Sequence, residues 1–231
     1  MSKMLDPKSI ENLKAISSVN PSLLVNHYSD DLRLCVTLYI DKKNQYSDFE
    51  TIGQVSVERS EEKIDGKSVY FVTDTTGAYP GFGSLLYQSL MIELSKVDGG
   101  ALLISDRENV TQSALGLYKK MESSKDFDFI DIDNSSSNYS DEFLYEDSDK
   151  SSILNKAYFW KGNELDLKYH DILISNHRKK NLTLDQMESI VEDGDLLGEW
   201  VEINLDELIE LRDRGFDDLK SFKITEPEME Y

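Results

Sequence analysis

The sequence predicts a mixed α+β fold: a mixed β-sheet flanked by helices, with a helical extension toward the C-terminus. Three observations predict it. Three strand-like runs at close spacing read as an antiparallel meander that ends in a glycine-bearing turn. That turn hands over to a helix that is apolar on most faces, which is the mark of a largely buried helix. A short, nearly all-apolar run follows, as in a central or parallel strand.

Asp6-Pro7 opens a helix with Ile10, Leu13 and Ile16 at helical spacing. The strand candidates are 32–40 (LRLCVTLYI), 51–59 (TIGQVSVER) and, after the turn Asp65-Gly66, 67–73 (KSVYFVT). The buried helix spans 84–96 and carries Leu85, Leu86, Tyr87, Leu90, Met91, Ile92 and Leu94. Asp98-Gly99-Gly100 ends it, and 101–105 (ALLIS) is the apolar strand. A helix over 113–121 places Ala114, Leu117, Tyr118 and Met121 on one side. Residues 126–149 hold nine acids and no base, and read as a surface loop around a strand at 127–132. Residues 157–161 (AYFWK) make another strand.

After Gly162 the organisation changes, which divides the chain into 1–162 and a mainly helical acidic extension, 163–231. Residues 183–191 read as helix, with Asp185 and Gln186 in the first turn. Asn204 and Glu207 have capping-box spacing and open a helix to Arg212, stopped by Gly215. The tail from Glu226 reads as loose. Leu196, Leu197, Trp200 and Val201 either anchor a partner or pack onto the preceding domain.

A hydrophobic content of 39% in 231 residues supports a core and excludes a disordered chain. The net charge of −20 repels nucleic acid and anionic lipid; it either keeps the protein soluble or suits binding to basic proteins or mimicry of a polyanion. The nine-acid run is either a solvated loop or an attractor for a lysine-rich tail or polyamine. A lone cysteine, Cys35, rules out an intrachain disulfide and a cysteine-based metal site, and suits the core. No metal site is expected. With no apolar secretion segment at the start and no run near the roughly 18 apolar residues of a membrane span, a cytoplasmic protein is expected, or one carried in a particle assembled in a cytosol.

The turn Gly77-Ala78-Tyr79-Pro80-Gly81-Phe82-Gly83 carries the chemistry. The first N–H groups of a helix lack partners within it, and the dipole favours negative charge there. Glycine lets the main chain approach a ligand closely. A phosphate-bearing cofactor follows.

The order helix, antiparallel strands, glycine turn, buried helix, strand, short helix, strand resembles the GNAT acyltransferase superfamily over about residues 5–161. The family's coenzyme A motif, Q/R-x-x-G-x-G/A, aligns with Ala78-Tyr79-Pro80-Gly81-Phe82-Gly83. Both glycines match, and Ala78 stands where the family has Gln or Arg. The resemblance implies that main-chain groups of Gly81, Phe82, Gly83 and Ser84 cradle the pyrophosphate of acetyl-CoA. Pro80 has no N–H to give. The stretch 109–118 looks like the family's second motif, an Asn followed by an A-x-x-L-Y helix. That implies Tyr118 as proton donor to the departing thiolate, and Asn109 as holder of the pantetheine arm or helix cap. Tyr118 equally suits a core position. GFGSLLYQSLM and LLISDRENVTQSALGLYKKM are similar to a GNAT-like group of tailed bacteriophages, with Thr111 in place of the usual Ser.

For a base, Glu58 and Asp74 stand at the ends of adjacent strands. Either relays a proton from an amine through water, or is a solvated strand end. Arg107 contacts substrate or pairs with Asp106. His27, His170 and His177 lie outside the motifs and read as surface or packing residues. The expected activity is acetyl transfer from acetyl-CoA to an amine. The alternative is a catalytically degenerate relative that serves as a virion component or binds a host protein.

Overall fold

Period-two burial builds the sheet. Along Arg33–Asp41 (β2), Leu34, Val36, Leu38 and Ile40 join one buried cluster, while Cys35 and Tyr39 join another on the opposite face, as alternating strand side chains must. The computed structural model describes residues 12–28, 32–42, 48–73, 77–79, 81–106, 110–132, 143, 151–162 and 164–201. For 151–152, 164–166 and 193–201 it describes the backbone alone. A helical turn at 12–15 brings Leu13 and Ile16 into the core.

β2 pairs antiparallel with Ser22–Tyr28 (β1) and with Phe49–Ile64 (β3). Asp65 and Gly66, both at positive φ, turn β3 into Lys67–Val72 (β4), because a two-residue turn of this hand matches the strand twist. Gly77–Ala78 (β5) returns to β3. Leu102–Ile104 (β6) lies parallel to β4, and Phe127–Asp131 (β7) and Lys156–Trp160 (β8) complete the order β1-β2-β3-β4-β6-β8-β7.

A parallel pair needs a crossover, and Gly83–Leu94 (α1) supplies it between β5 and β6. Every residue from Leu85 to Leu94 is buried, because α1 lies on β2, β3, β6 and β8 and meets Glu164–Lys179 (α4) from above. Burying each large apolar side chain contributes about 1.5–3 kcal/mol, so this helix is a main source of stability. Gln112–Ser123 (α2) follows β6, and its Tyr118 ring meets Tyr87 of α1 edge-on. Ser151–Leu154 (α3) is one short turn before β8, tied by Tyr158 O–H donating to the Ile153 carbonyl at 2.9 Å. Beyond α1, Asp98 accepts from Arg59 at 3.0 Å and from Ser68 at 2.9 Å, which fixes the turn to the β3–β4 hairpin.

The segment after Gly162 lies on the sheet. Leu184–Val201 (α5) covers β2 and β3 on the face away from α1. Ile190 and Val191 pack with Leu24, Cys35 and Tyr39, and Thr51 donates to the Ile190 carbonyl at 2.7 Å. α4 runs along β1 and buries Leu173. Asn176 donates to the Pro21 carbonyl at 2.9 Å, and His177 Nδ1 lies 2.8 Å from Tyr39 Oη. The buried His170 meets Glu93 of α1 at 2.5 Å. No helix among the described residues is long and apolar enough to cross a membrane.

Some elements exceed the sequence reading. β1, β5, α3 and α4 lack expectations, and the helix expected over 183–191 runs on to Val201. The acid-rich 126–149 is described only at its start and at Phe143, and the expected helix from Asn204 lies outside the described residues.

Gly53 marks the closest approach of β3 to α1 and β5. A Cβ there would stand 2.5 Å from Leu86 Cδ1 and 2.9 Å from Ala78 Cβ. Gly53→Val is expected to cost about 1–3 kcal/mol in chemical denaturation. Gly116, on α2 with open space at its Cα, gives the opposite sign: Gly116→Ala is expected to add about 0.5–1 kcal/mol.

Burial pushes the Glu93 carboxyl up, but bonds from His170 and Lys96 outweigh it and hold the group below its usual 4.5. A depressed carboxyl adds stability that is complete above the unfolded value and lost as pH falls through the folded one. Glu93→Gln is therefore expected to lower stability by about 2 kcal/mol near neutrality. The gap should close as the pH of the melt drops below about 4.

Candidate functional site

The mouth of α1 opens at the end of the parallel pair. β4 and β6 pair at Val69 with Leu102, Tyr70 with Leu103 and Phe71 with Ile104, and among the described residues their pairing stops there. Past that point the chain stays with β3: Thr73 N–H donates to the Ser56 carbonyl at 3.0 Å, and Tyr79 N–H to the Ile52 carbonyl at 2.9 Å. Between the pairs Val57 with Val72 and Gln54 with Gly77, β3 advances three residues while the facing chain advances five. Two surplus residues in one strand make a bulge.

The bulged strand delivers the chain to Gly81, whose φ of 92° is left-handed backbone that favours glycine. Phe82 follows as N-cap with no side-chain cap, and no acidic residue stands in the first turn. Phe82 is 2% exposed and anchors the turn in the core. Its N–H donates to the Tyr79 carbonyl at 3.2 Å, and Leu85 and Leu86 donate to the Phe82 carbonyl. No acceptor among the described residues takes the N–H of Gly83 or Ser84. A Cβ at Gly83 would meet nothing within 4 Å among the described residues. The contrast with α2 is direct: there Thr111 Oγ1 accepts from Ala114 N at 3.2 Å and closes the mouth.

An open helix N-terminus with two unaccepted amides holds an oxyanion by main-chain hydrogen bonds and dipole. Of the four residues expected in the cradle, Gly83 and Ser84 present N–H groups, Gly81 supplies the bend, and Phe82 acts as an anchor with its amide already used.

Tyr118 is 1% exposed, edge-on to Tyr87 at 6.0 Å and tilted to Tyr158 at 5.6 Å. Burial pushes the Tyr87 hydroxyl up to about 12; a hydrogen bond with Tyr118 partly offsets this, and the Asp106 charge adds to it. The two rings meet inside the layer between α1, α2 and the sheet. A leaving group meets Tyr118 only by entering that layer.

Glu58 is exposed and lies between Arg33 and Phe71 in register. Its neighbour Val57 belongs to the cluster that holds Tyr118, so Glu58 itself is on the other face. The structure thus sets Tyr118 and Glu58 on opposite faces. Asp74, Pro80, Arg107 and Asn109 lie outside the described residues. Sequence reasoning passed over Tyr87, whose only signal was its place one turn into the buried helix. It also passed over the His170–Glu93 contact, which joins residues 77 positions apart.

Compared with known proteins, the chain matches no family model, no curated protein and no solved structure.

The core placement of Tyr118 has a measurable consequence. Tyr118→Ala is expected to cost about 3–5 kcal/mol of stability. Tyr118→Phe, which keeps the ring and loses only the hydroxyl, should cost about 1 kcal/mol.

Proposed function

We propose that this chain binds acetyl-CoA at the mouth of α1 and acts as an N-acetyltransferase-like protein on an amine. The observation that carries the reading is the uncapped mouth itself: two amides with no acceptor among the described residues, at the start of a buried helix. The strand order, with one parallel neighbouring pair inside an otherwise antiparallel sheet, supports the resemblance carried by the glycine motif and the helix ending in Tyr118.

Bound acetyl-CoA supplies an activated acetyl group. The chain's own residues bind, orient and move protons. Gly83 and Ser84 would hold its pyrophosphate by their main-chain N–H groups. Tyr118, with Tyr87 behind it, would supply the proton that the departing thiolate takes up. Glu58, on the opposite face, would take the proton that the amine loses, through water. Donor and acceptor would thus meet from the two faces of the sheet at the gap between β4 and β6, and positioning would supply much of the rate. The acidic surface, net −20, favours a cationic amine.

A second reading keeps the binding and drops the turnover: a cofactor-binding or partner-binding protein on the same fold, as in a virion or against a host protein. The burial of Tyr118 favours it, since a hydroxyl closed into the core is removed from a reacting sulfur.

Gly83→Val separates both readings from a purely structural turn. The side chain fits where no ligand stands, so the melting temperature should stay within a few degrees. Calorimetry with acetyl-CoA should show saturable binding for the native chain and at least about tenfold weaker binding for the variant, the worth of a lost main-chain grip. Equal binding would refute the mouth as the site. With binding established, Tyr118→Phe should reduce kcat on a polyamine at least about tenfold if Tyr118 is the acid; binding without any turnover selects the second reading.

A further inference from the structure

A second site lies at the other end of α1. Between β1, the last turn of α1 and α4 runs a cleft of about 450 Å3, the size of a small-metabolite pocket. Along the helix, Glu93 stands about 15 Å from Gly83 at 1.5 Å per residue, so the cleft is distinct from the α1 mouth.

His170 lies in its wall and is 1% exposed. Its Nε2 meets Glu93 Oε1 at 2.5 Å, and Lys96 Nζ meets the same oxygen at 2.6 Å. Glu93 is ionised at neutral pH, held below its usual range by these two partners despite its burial. An ionised carboxylate only accepts, so Nε2 carries the proton of that bond. His170 Nδ1 is buried with no hydrogen-bond partner among the described residues. A buried polar atom left in that state is costly unless a ligand completes it.

The groups lining the cleft carry both signs, two cations and two carboxylates, with two histidines among them. From α1 comes Lys96, whose ammonium has N–H groups beyond the one given to Glu93. From α4 come Arg178, Ser175 and the exposed carboxylate Asp171; from β1 comes His27. Two of the three histidines of the chain and two permanent cations thus share one cleft on a protein of net charge −20. Arg178 also suits the last turn of α4, where cations offset the dipole, but that role does not account for the unpartnered nitrogen of His170.

We propose that this cleft binds a small oxyanion, of phosphate, sulfate or carboxylate type, with Arg178 and Lys96 supplying charge and His170 supplying a hydrogen bond from Nδ1. In the complex the ring bridges Glu93 on one side and the ligand on the other. Asp171 opposes the ligand, and its charge sets the affinity from the rim.

The chain has three histidines, so imidazole carbon-bound proton signals assign readily by His→Gln variants. Sodium sulfate is titrated against sodium chloride of equal ionic strength. The His170 signal should move saturably with sulfate alone. Arg178→Ala, an exposed change, should weaken binding at least about fivefold, and Asp171→Asn should strengthen it, at unchanged melting temperature. Acetate titrated in the same way shows whether the cleft takes a planar or a tetrahedral anion, and saturable binding of either supports the site. A linear shift shared with chloride, or native binding by Arg178→Ala, would overturn it. Because acetyl-CoA binding at Gly83 is a separate measurement, neither result decides the other.

Discussion

The structure depends on the burial of α1. Ten consecutive residues of this helix are out of water, so it must be covered on every side. The sheet covers one side; α2, α4 and the ring of Tyr118 against Tyr87 cover the rest. A helix in that position cannot tilt or slide without opening the core, because close-packed interiors resist displacement. Its two ends are therefore fixed points. One end faces the gap where β4 and β6 stop pairing, and the other carries Glu93 and Lys96 into the cleft under α4.

The ends differ in how their backbone groups are met. α2 closes its own N-terminus with Thr111, whereas α1 arrives through Gly81 and Phe82, neither of which offers a capping side chain. Phe82 spends its side chain on the core and its N–H on Tyr79, which leaves Gly83 and Ser84 to face outward. Anchor and cradle are thus adjacent residues with separate duties. On the proposed reading, phosphate binding comes from one local feature, the turn at Gly81 and the helix mouth that follows it.

The helices after Gly162 are part of the same packing. α5 seals the face of β2 and β3 opposite to α1, and α4 guards the β1 edge with polar contacts: Asn176 to Pro21, His177 with Tyr39 and His170 with Glu93. An exposed strand edge invites pairing with other chains, and α4 prevents it here. The price is a pair of histidines on its inner side, and one of them keeps a nitrogen without a partner.

The sequence by itself determined the elements whose pattern is local. Alternating apolar residues marked β2 and β4, Asp65-Gly66 marked the hairpin, and the unbroken apolar face of 84–96 marked a buried helix that needs only its own composition to be recognised. The glycine turn was legible too, since Gly81 and Gly83 sit between strand and helix. β1 was hidden because its outer half, Asn26 to Tyr28, is polar and only half-covered. α4 was hidden because His170 and His177 occupy inward positions where apolar residues would have shown the period. Tertiary structure alone decided which faces meet: Glu58 apart from Tyr118, Tyr87 against Tyr118, Glu93 against His170. Those relations join residues far apart in the chain, and they follow from strand order and the side of the sheet each helix takes, which a linear pattern of burial does not encode.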